Sequence, residues 1–276
     1  IFIFDKNGEN IFSFGKEGGL KGPFLSNVHP NLRERIFKCY KEELSQLATE
    51  LAVREGTFAT DPIQTMSSSL LVHPLQGYDF SKNNILTSSI LDIRKGENFV
   101  WKGGRKSYKS LINKARKSYL VEIIDQENYS EDSCLEYKRL HILAAGRQTR
   151  SDESFDSMFK MVSNGSAFLV LVSNQKNSLG GYLFFSSCAA SFYASSATCP
   201  SVTNNMGIGH LGVWSGIEYS IKKELSFVDM ALVRSNEQGN DDKVAAINFF
   251  KRGFGTVDVP VHIIERSNFL IGTSDD

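Results

Sequence analysis

Two glycines one residue apart, Gly207 and Gly209, open a helical pattern in the run Asn205-Met206-Gly207-Ile208-Gly209-His210. Residue types of this kind at such a place suit an anion. Without Cβ atoms the backbone can approach a ligand closely. The first N–H groups of a helix lack internal partners and carry the positive end of its dipole. Val213, Ile217, Ile221 and Leu225 supply an apolar face behind the loop. A tight turn serving only the fold is the plainer reading of the same glycines. His210, at the helix start where the dipole disfavours its charged form, could take an amine proton or be simply structural.

Further candidates lie downstream and upstream. Asp229 interrupts the apolar strand Phe227-Val228-Asp229-Met230-Ala231-Leu232. Strict alternation puts it on the face with Ala231, toward a cleft, as a base or an amine-orienting group; an edge aspartate is the alternative. Arg234 comes directly after that strand and is placed for a phosphate or a carboxylate. From Asn98 through Val121 there is no acid, while Lys102, Arg105, Lys106, Lys109, Lys114, Arg116 and Lys117 are basic. A solvated face is the ordinary meaning of such a run. None of the cysteines, at 39, 134, 188 and 199, sits by a histidine and an acid in a nucleophile's spacing, so no covalent intermediate on cysteine is expected. No His/Cys/Asp cluster has metal-ligand spacing, and no metal is expected.

These residues need elements to hold them. Ile1–Phe4 and Ile11–Phe14 flank Lys-Asn-Gly and suggest a hairpin. Apolar spacing predicts helices over 31–54 and 101–117, and strands at Thr65–Val72 and Ile85–Ile93. The second half reads strand (Tyr119–Ile124), helix (130–145), helix (153–162), then strands at Ala167–Ser173, Gly181–Ser186 and Ser191–Ala197. The glycine loop and its helix come next, then strand Phe227–Val233, helix Lys243–Arg252 and strand Val257–Ile264. That is an α/β order with the glycine loop after the fourth strand of this half, where open sheets bind ligands.

Composition bounds the possibilities. A chain of 276 residues makes one or two domains. Basic and acidic residues both number 31, so affinity for anions must come from local clusters. Without a Cys-x-x-Cys pair, the cysteines read as reduced thiols of a cytoplasmic protein. The longest apolar run, Ala167 to Val172, is too short to span a bilayer, and no signal-peptide pattern is read. Zero net charge and the lack of an aromatic platform beside residues 102–117 argue against nucleic-acid binding.

The order of elements, with Asn204-x-x-Gly207-x-Gly209 opening a helix, resembles the GNAT N-acyltransferase superfamily. Asn204 stands where that loop usually has Gln or Arg. Ala245-Ala246-Ile247-Asn248-Phe249-Phe250-Lys251-Arg252-Gly253-Phe254 is similar to the segment Ala-x-x-x-Tyr-x-x-x-Gly-Phe, with Phe249 in place of the tyrosine whose phenol often protonates a leaving thiolate. A closer resemblance is to the Fem-like branch, named for the aminoacyltransferases of peptidoglycan cross-bridges. Ser89-Ile90-Leu91-Asp92 with Arg105 to Lys117, Gly207-Ile208-Gly209-His210-Leu211 with Trp214 and Ile217, and Asn248 to Gly255 carry it, in the right order across residues 89–260.

The resemblance implies an α/β (α+β) fold with a GNAT-type mixed sheet in two tandem domains: a degenerate one at 1–116 and a complete one at 117–276. It implies an N-acyltransferase whose acceptor amine attacks directly, with backbone N–H groups beside the strand Phe192–Ala197 at the oxyanion. Lys251 would offset charge on the donor or oxyanion, unless it is a solvated lysine favoured by a helix C-terminus. Asn205 to His210 would wrap the carrier's phosphates. Lys106, Lys109, Lys114 and Arg116 would hold phosphates of a nucleotide-linked acceptor, and Arg147 and Arg150 match an arginine-bearing turn. The donor expected is acyl-CoA, with aminoacyl-tRNA as the alternative. The acceptor is an amine of a nucleotide-sugar or cell-envelope precursor. A rival reading is a non-catalytic nucleotide- or carbohydrate-binding module on the same scaffold.

Overall fold

A computed structural model describes residues 2–6, 9–14, 30–50, 55–59, 82–202, 207–233 and 242–267. The chain divides into two compact units: Ile1–Ser88 with Leu232–Ser235 and Asp258–Asp276, and Ser89–Ala231 with Asn236–Val257. Compactness thus divides the chain before the basic helix, where the sequence reading set 1–116 apart from 117–276.

In the first unit, β1 (Phe2–Lys6) and β2 (Glu9–Phe14) pair antiparallel, as the sequence suggested. A parallel partner needs a crossover, and α1 (Pro30–Glu50) lies between β2 and its parallel neighbour β3 (Glu55–Ala59). The strand β3 has no apolar alternation in Glu-Gly-Thr-Phe-Ala and was not legible. The strand expected at Thr65–Val72 lies outside the described residues. β4 (Lys82–Asp92) leads into the second unit.

There the helix expected over 101–117 is two. α2 (Glu97–Gly103) stops at Gly104, which is extended at φ −71° and ψ 154°, and α3 (Lys106–Arg116) starts after Arg105. The glycine pair has the low helix propensity that allows the break. Next come β5 (Leu120–Ile124), α4 (Glu131–Ala145), α5 (Asp152–Ser163), β6 (Ala167–Ser173), β7 (Ser178–Ser186) and β8 (Ala190–Thr198). β5 to β8 form an antiparallel meander. α6 (Ile208–Lys222) crosses over to β9 (Phe227–Val233), which pairs parallel with β8. α7 (Asp242–Arg252) and β10 (Val257–Ser267) close the order, β10 pairing antiparallel with β3 through Ile263↔Ala59.

The core of the second unit has two halves, one on each face of this sheet. On one face, Phe168, Tyr182 and Phe184 of the sheet pack with Leu211, Val213, Trp214 and Ile217 of α6. Gly212 and Gly216 let α6 lie this close, because a Cβ at either would overlap the Tyr182 or Phe184 ring. On the other face, Leu169, Leu171 and Leu183 meet Tyr137, Leu140, Phe155 and Val162 of α4 and α5. The meander is apolar on both sides, which is why β6 reads as a continuous hydrophobic run rather than an alternating one.

Candidate active site

The site is built first from irregular backbone on two neighbouring strands. Leu183 pairs with Ser195 and Phe184 with Tyr193, so Ala194 is an extra residue in β8. Such a bulge leaves a peptide unpaired in the ladder and re-aims the side chains beside it. The β8–β9 register runs Ala190↔Phe227, Ser191↔Val228 and Phe192↔Asp229. Just past it, β9 has its own irregularity: Ala231 sits at φ 66°, left-handed and unusual for a residue with a Cβ. Regular alternation in β9 ends at this residue. Asp229 is only 3 % exposed, and its Oδ1 accepts the Ala231 N–H at 2.8 Å. Phe192 to Ser196 are all partly exposed although β8 has a neighbour on either side.

The second component is the start of α6. Gly207 is its N-cap, left-handed at φ 69°, and its carbonyl accepts the Leu211 N–H at 2.8 Å. A Cβ at Gly207 would stand 2.7 Å from the Leu111 carbonyl oxygen of α3. Packing against α3 therefore already demands this glycine. Gly209 differs: among the described residues a Cβ there would meet only the Tyr182 hydroxyl, at 3.9 Å. α4 and α5 are capped by Ser130 and Ser151 and carry acids in their first turns, whereas α6 has neither a side-chain cap nor a first-turn acid. Asn204, Asn205, Met206 and Arg234 lie outside the described residues.

The matched segments around residues 105 and 253 meet in the third component. Arg105 donates from Nη1 to the Phe249 carbonyl at 2.9 Å, and its backbone N–H donates to the Gly253 carbonyl at 2.9 Å. The Tyr108 hydroxyl donates to the carbonyls of Phe249 and Phe250, so α3 caps the end of α7. His210 stands edge-on to Tyr108 at 4.3 Å between ring centres and to Phe250 at 5.1 Å. Burial among these rings lowers its pKa and keeps it neutral. Phe254 completes the aromatic group, 5.3 Å from both Tyr108 and Phe250. Lys251 is 8 % exposed; it is not the solvated lysine of the plainer reading. Phe249, at the position of the resemblance's tyrosine, is 60 % exposed with the Arg105 guanidinium 3.5 Å over its ring.

The basic residues disperse. Arg116 pairs with Glu218 of α6, and Lys109 donates to the Lys102 carbonyl at 3.0 Å, closing α2. Lys106 and Lys114 are exposed on α3. Arg147 and Arg150 are exposed on the turn between α4 and α5, with Gly146 left-handed at its start. Among the described residues no cluster of His, Cys, Asp and Glu could hold a metal, and no helix is long and apolar enough to cross a membrane. Sequence reasoning singled out neither Arg105 nor Tyr108 as a site residue, although both lie in the matched run. The Ala194 bulge has no sequence signal at all.

No family model matches the sequence, and no curated protein is similar to it at the sequence level. Solved structures are similar in fold. FemX matches with a TM-score of 0.59 and 13 % identity over 92 % of this chain and 80 % of its own. L-PGS from Bacillus licheniformis matches at 0.57 and 10 % identity, over 84 % of this chain and 73 % of its own. The C-terminal domain of a putative lysylphosphatidylglycerol synthetase from Agrobacterium fabrum matches at 0.61 and 9 % identity, over 95 % and 79 %. With its mixed sheet and glycine-opened helix, the chain has the fold seen in FemX, L-PGS and that synthetase domain.

Proposed function

We propose that the protein is an N-acyltransferase that moves an acyl or aminoacyl group from a carrier to an amine by direct attack. The observation that carries this reading is the irregular β8: a bulge at Ala194 in a central strand whose residues 192–196 are not buried. Acyl transfer needs preorganised donors where the carbonyl oxygen becomes negative, and the peptide of the Ala194 bulge, outside the regular ladder, is the candidate. The acceptor nitrogen attacks the acyl carbon and the C–N bond forms. The carrier leaves with the electrons of the broken C–S or C–O bond, and the amine proton passes to the leaving group or to water. Lys251 offsets the negative charge of this step. Asp229, through its bond to the Ala231 N–H, is a positioning residue that fixes the bend of β9. His210, neutral in its aromatic setting, is available to accept the amine proton.

The uncapped start of α6, with Gly209 open, receives the carrier's phosphates, and acyl-CoA is the donor we favour. Arg105 stacked on exposed Phe249 gives the adenine of a carrier a face to lie on. That stack is the aromatic surface the sequence reading missed, and it keeps aminoacyl-tRNA as a second donor. The lysylphosphatidylglycerol synthetases, by their name, join lysine to a lipid, so aminoacyl transfer suits this fold. Lys106, Lys114, Arg147, Arg150 and Arg234 remain candidates for an acceptor that carries phosphate, such as a nucleotide-sugar. Residues 1–116 are read as a degenerate tandem copy, and a cytoplasmic location fits the free thiols.

The reading is tested by supplying the full chain with acetyl-CoA or aminoacyl-tRNA and a panel of amines, with products and intact protein read by mass spectrometry. Amide product with unmodified protein is expected. Carrier binding without amide from either donor would make the chain a binding module instead.

A further inference from the structure

The helix α7 is turned the opposite way from an ordinary surface helix. An apolar stripe normally docks such a helix on its core and leaves the polar residues in water. In α7 the polar Asn248 and Lys251 are buried, while Ile247 and Phe249 are exposed. Burying a lysine is costly, so the end of the helix that carries it needs a firm hold.

Tyr108 of α3 touches that end on both sides of Lys251. Its hydroxyl lies 3.4 Å from the Phe249 carbonyl oxygen and 3.3 Å from that of Phe250. The second carbonyl belongs to the peptide that joins Phe250 to Lys251. The Gly253 N–H donates to the same two carbonyls, so the phenol adds a hold from outside the helix to the last turn's own bonds. Beyond Lys251, the Tyr108 ring lies so close over Gly253 that a Cβ there would overlap it. The ring also stands edge-on to Phe254 at 5.3 Å and to His210 of α6 at 4.3 Å.

We infer that Tyr108 is the positioning residue of Lys251. Its hydroxyl fixes the peptide before the lysine and its ring fixes the glycine after it, so the ammonium stands in one place. What Lys251 does there is taken from the acyl-transfer reading; that Tyr108 places it is not. A charged group helps a transition state only where it is held in advance, and a small misplacement is costly in rate. Phenylalanine at 108 keeps the ring against Gly253 and His210 and removes only the hydroxyl, so that variant folds and loses the hold on the Lys251 peptide alone.

Two measurements on the full chain test it, with Tyr108→Phe, Lys251→Met and the double variant. In the first, lysine side chains are labelled with carbon-13 and read by nuclear magnetic resonance without any donor. The Lys251 signal is the one missing from Lys251→Met. It shifts or broadens in Tyr108→Phe, while the bulk of the lysine signals stays. A Lys251 signal that stays in place overturns the inference, whether or not the protein forms an amide. The second measurement is steady-state kinetics, with acetyl-CoA or aminoacyl-tRNA and an amine that the wild type acylates. Tyr108→Phe lowers the turnover number about ten- to a hundredfold and leaves the Michaelis constant for the donor near wild type. In the Lys251→Met background the same replacement changes turnover less than about twofold, because the group it places is already gone. Losses that simply multiply, or a raised Michaelis constant with unchanged turnover, overturn the inference and leave the transferase. A displaced Lys251 signal with no amide from either donor in the wild type removes the transferase and leaves Tyr108 as the residue that places Lys251.

Discussion

The Tyr108 ring fills the space that a side chain at residue 253 would need; a Cβ on Gly253 would overlap that ring. The glycine of the Gly-Phe ending is thus set by a tyrosine well over a hundred residues earlier in the chain. Gly253→Ala overpacks the joint between α3 and α7 and should cost about 1–3 kcal/mol. Chemical denaturation measures it, and the loss should shrink in a Tyr108→Leu background, where the ring is gone. Equal losses in both backgrounds would uncouple the two residues.

The glycines of the loop separate structure from binding. Gly207→Ala meets the Leu111 carbonyl and a left-handed φ, and it should lower the melting temperature clearly. Gly209→Ala has open space and replaces a glycine by the best helix former, so it should melt no lower than wild type. If carrier phosphates approach this backbone, Gly209→Asp, which adds bulk and negative charge, loses CoA affinity in calorimetry while remaining folded. Wild-type affinity in that variant would take the loop out of the site.

Much of the architecture was legible. The hairpin, the α4–α5 pair, the meander and the α6 crossover are written in periodicity, because each carries a long apolar stripe or run. The break between α2 and α3 was missed because Gly103-Gly104 interrupts the pattern without changing its phase. β3 was missed because pairing rather than an apolar face defines it. At the site, Gly207 was legible by type but its physical reason was not, since Leu111 comes from a distant segment. The burial of Asp229 and its bond to the Ala231 N–H were not legible, because alternation assumes a regular strand and Ala231 is not regular.

Both half-buried histidines make stability depend on pH. Burial lowers the pKa of His210 and, with help from Arg150, of His141 below the ordinary 6.5. The unfolded chain therefore binds more protons as pH falls below about 6.5, so the folded state loses stability on acidification and keeps it above that value. Melting temperature should fall between pH 7.5 and pH 5. His210→Gln should flatten that fall. An unchanged slope in the variant would place the ring in solvent-like surroundings.

The basic helix should split in its behaviour. Arg116 pairs with Glu218, a part-exposed pair expected to add about 0–1 kcal/mol, so Arg116→Ala should affect folding slightly and ligands not at all. Lys106→Glu with Lys114→Glu should leave melting unchanged and raise the Michaelis constant for a phosphate-bearing amine. The effect should fade as salt rises. Kinetics identical to wild type at low salt would make this face a solubility feature only.

Direct transfer assisted by the buried lysine stands or falls on turnover in Lys251→Met. Methionine keeps much of the length in a site that is 8 % exposed and removes the ammonium group. A charge-stabilising group in an acyl-transfer site is worth about 10²–10³ in turnover. The turnover number for amide formation should fall by that order, with donor affinity and melting temperature near wild type and partial recovery in Lys251→Arg. Wild-type turnover in a folded Lys251→Met protein would contradict the mechanism.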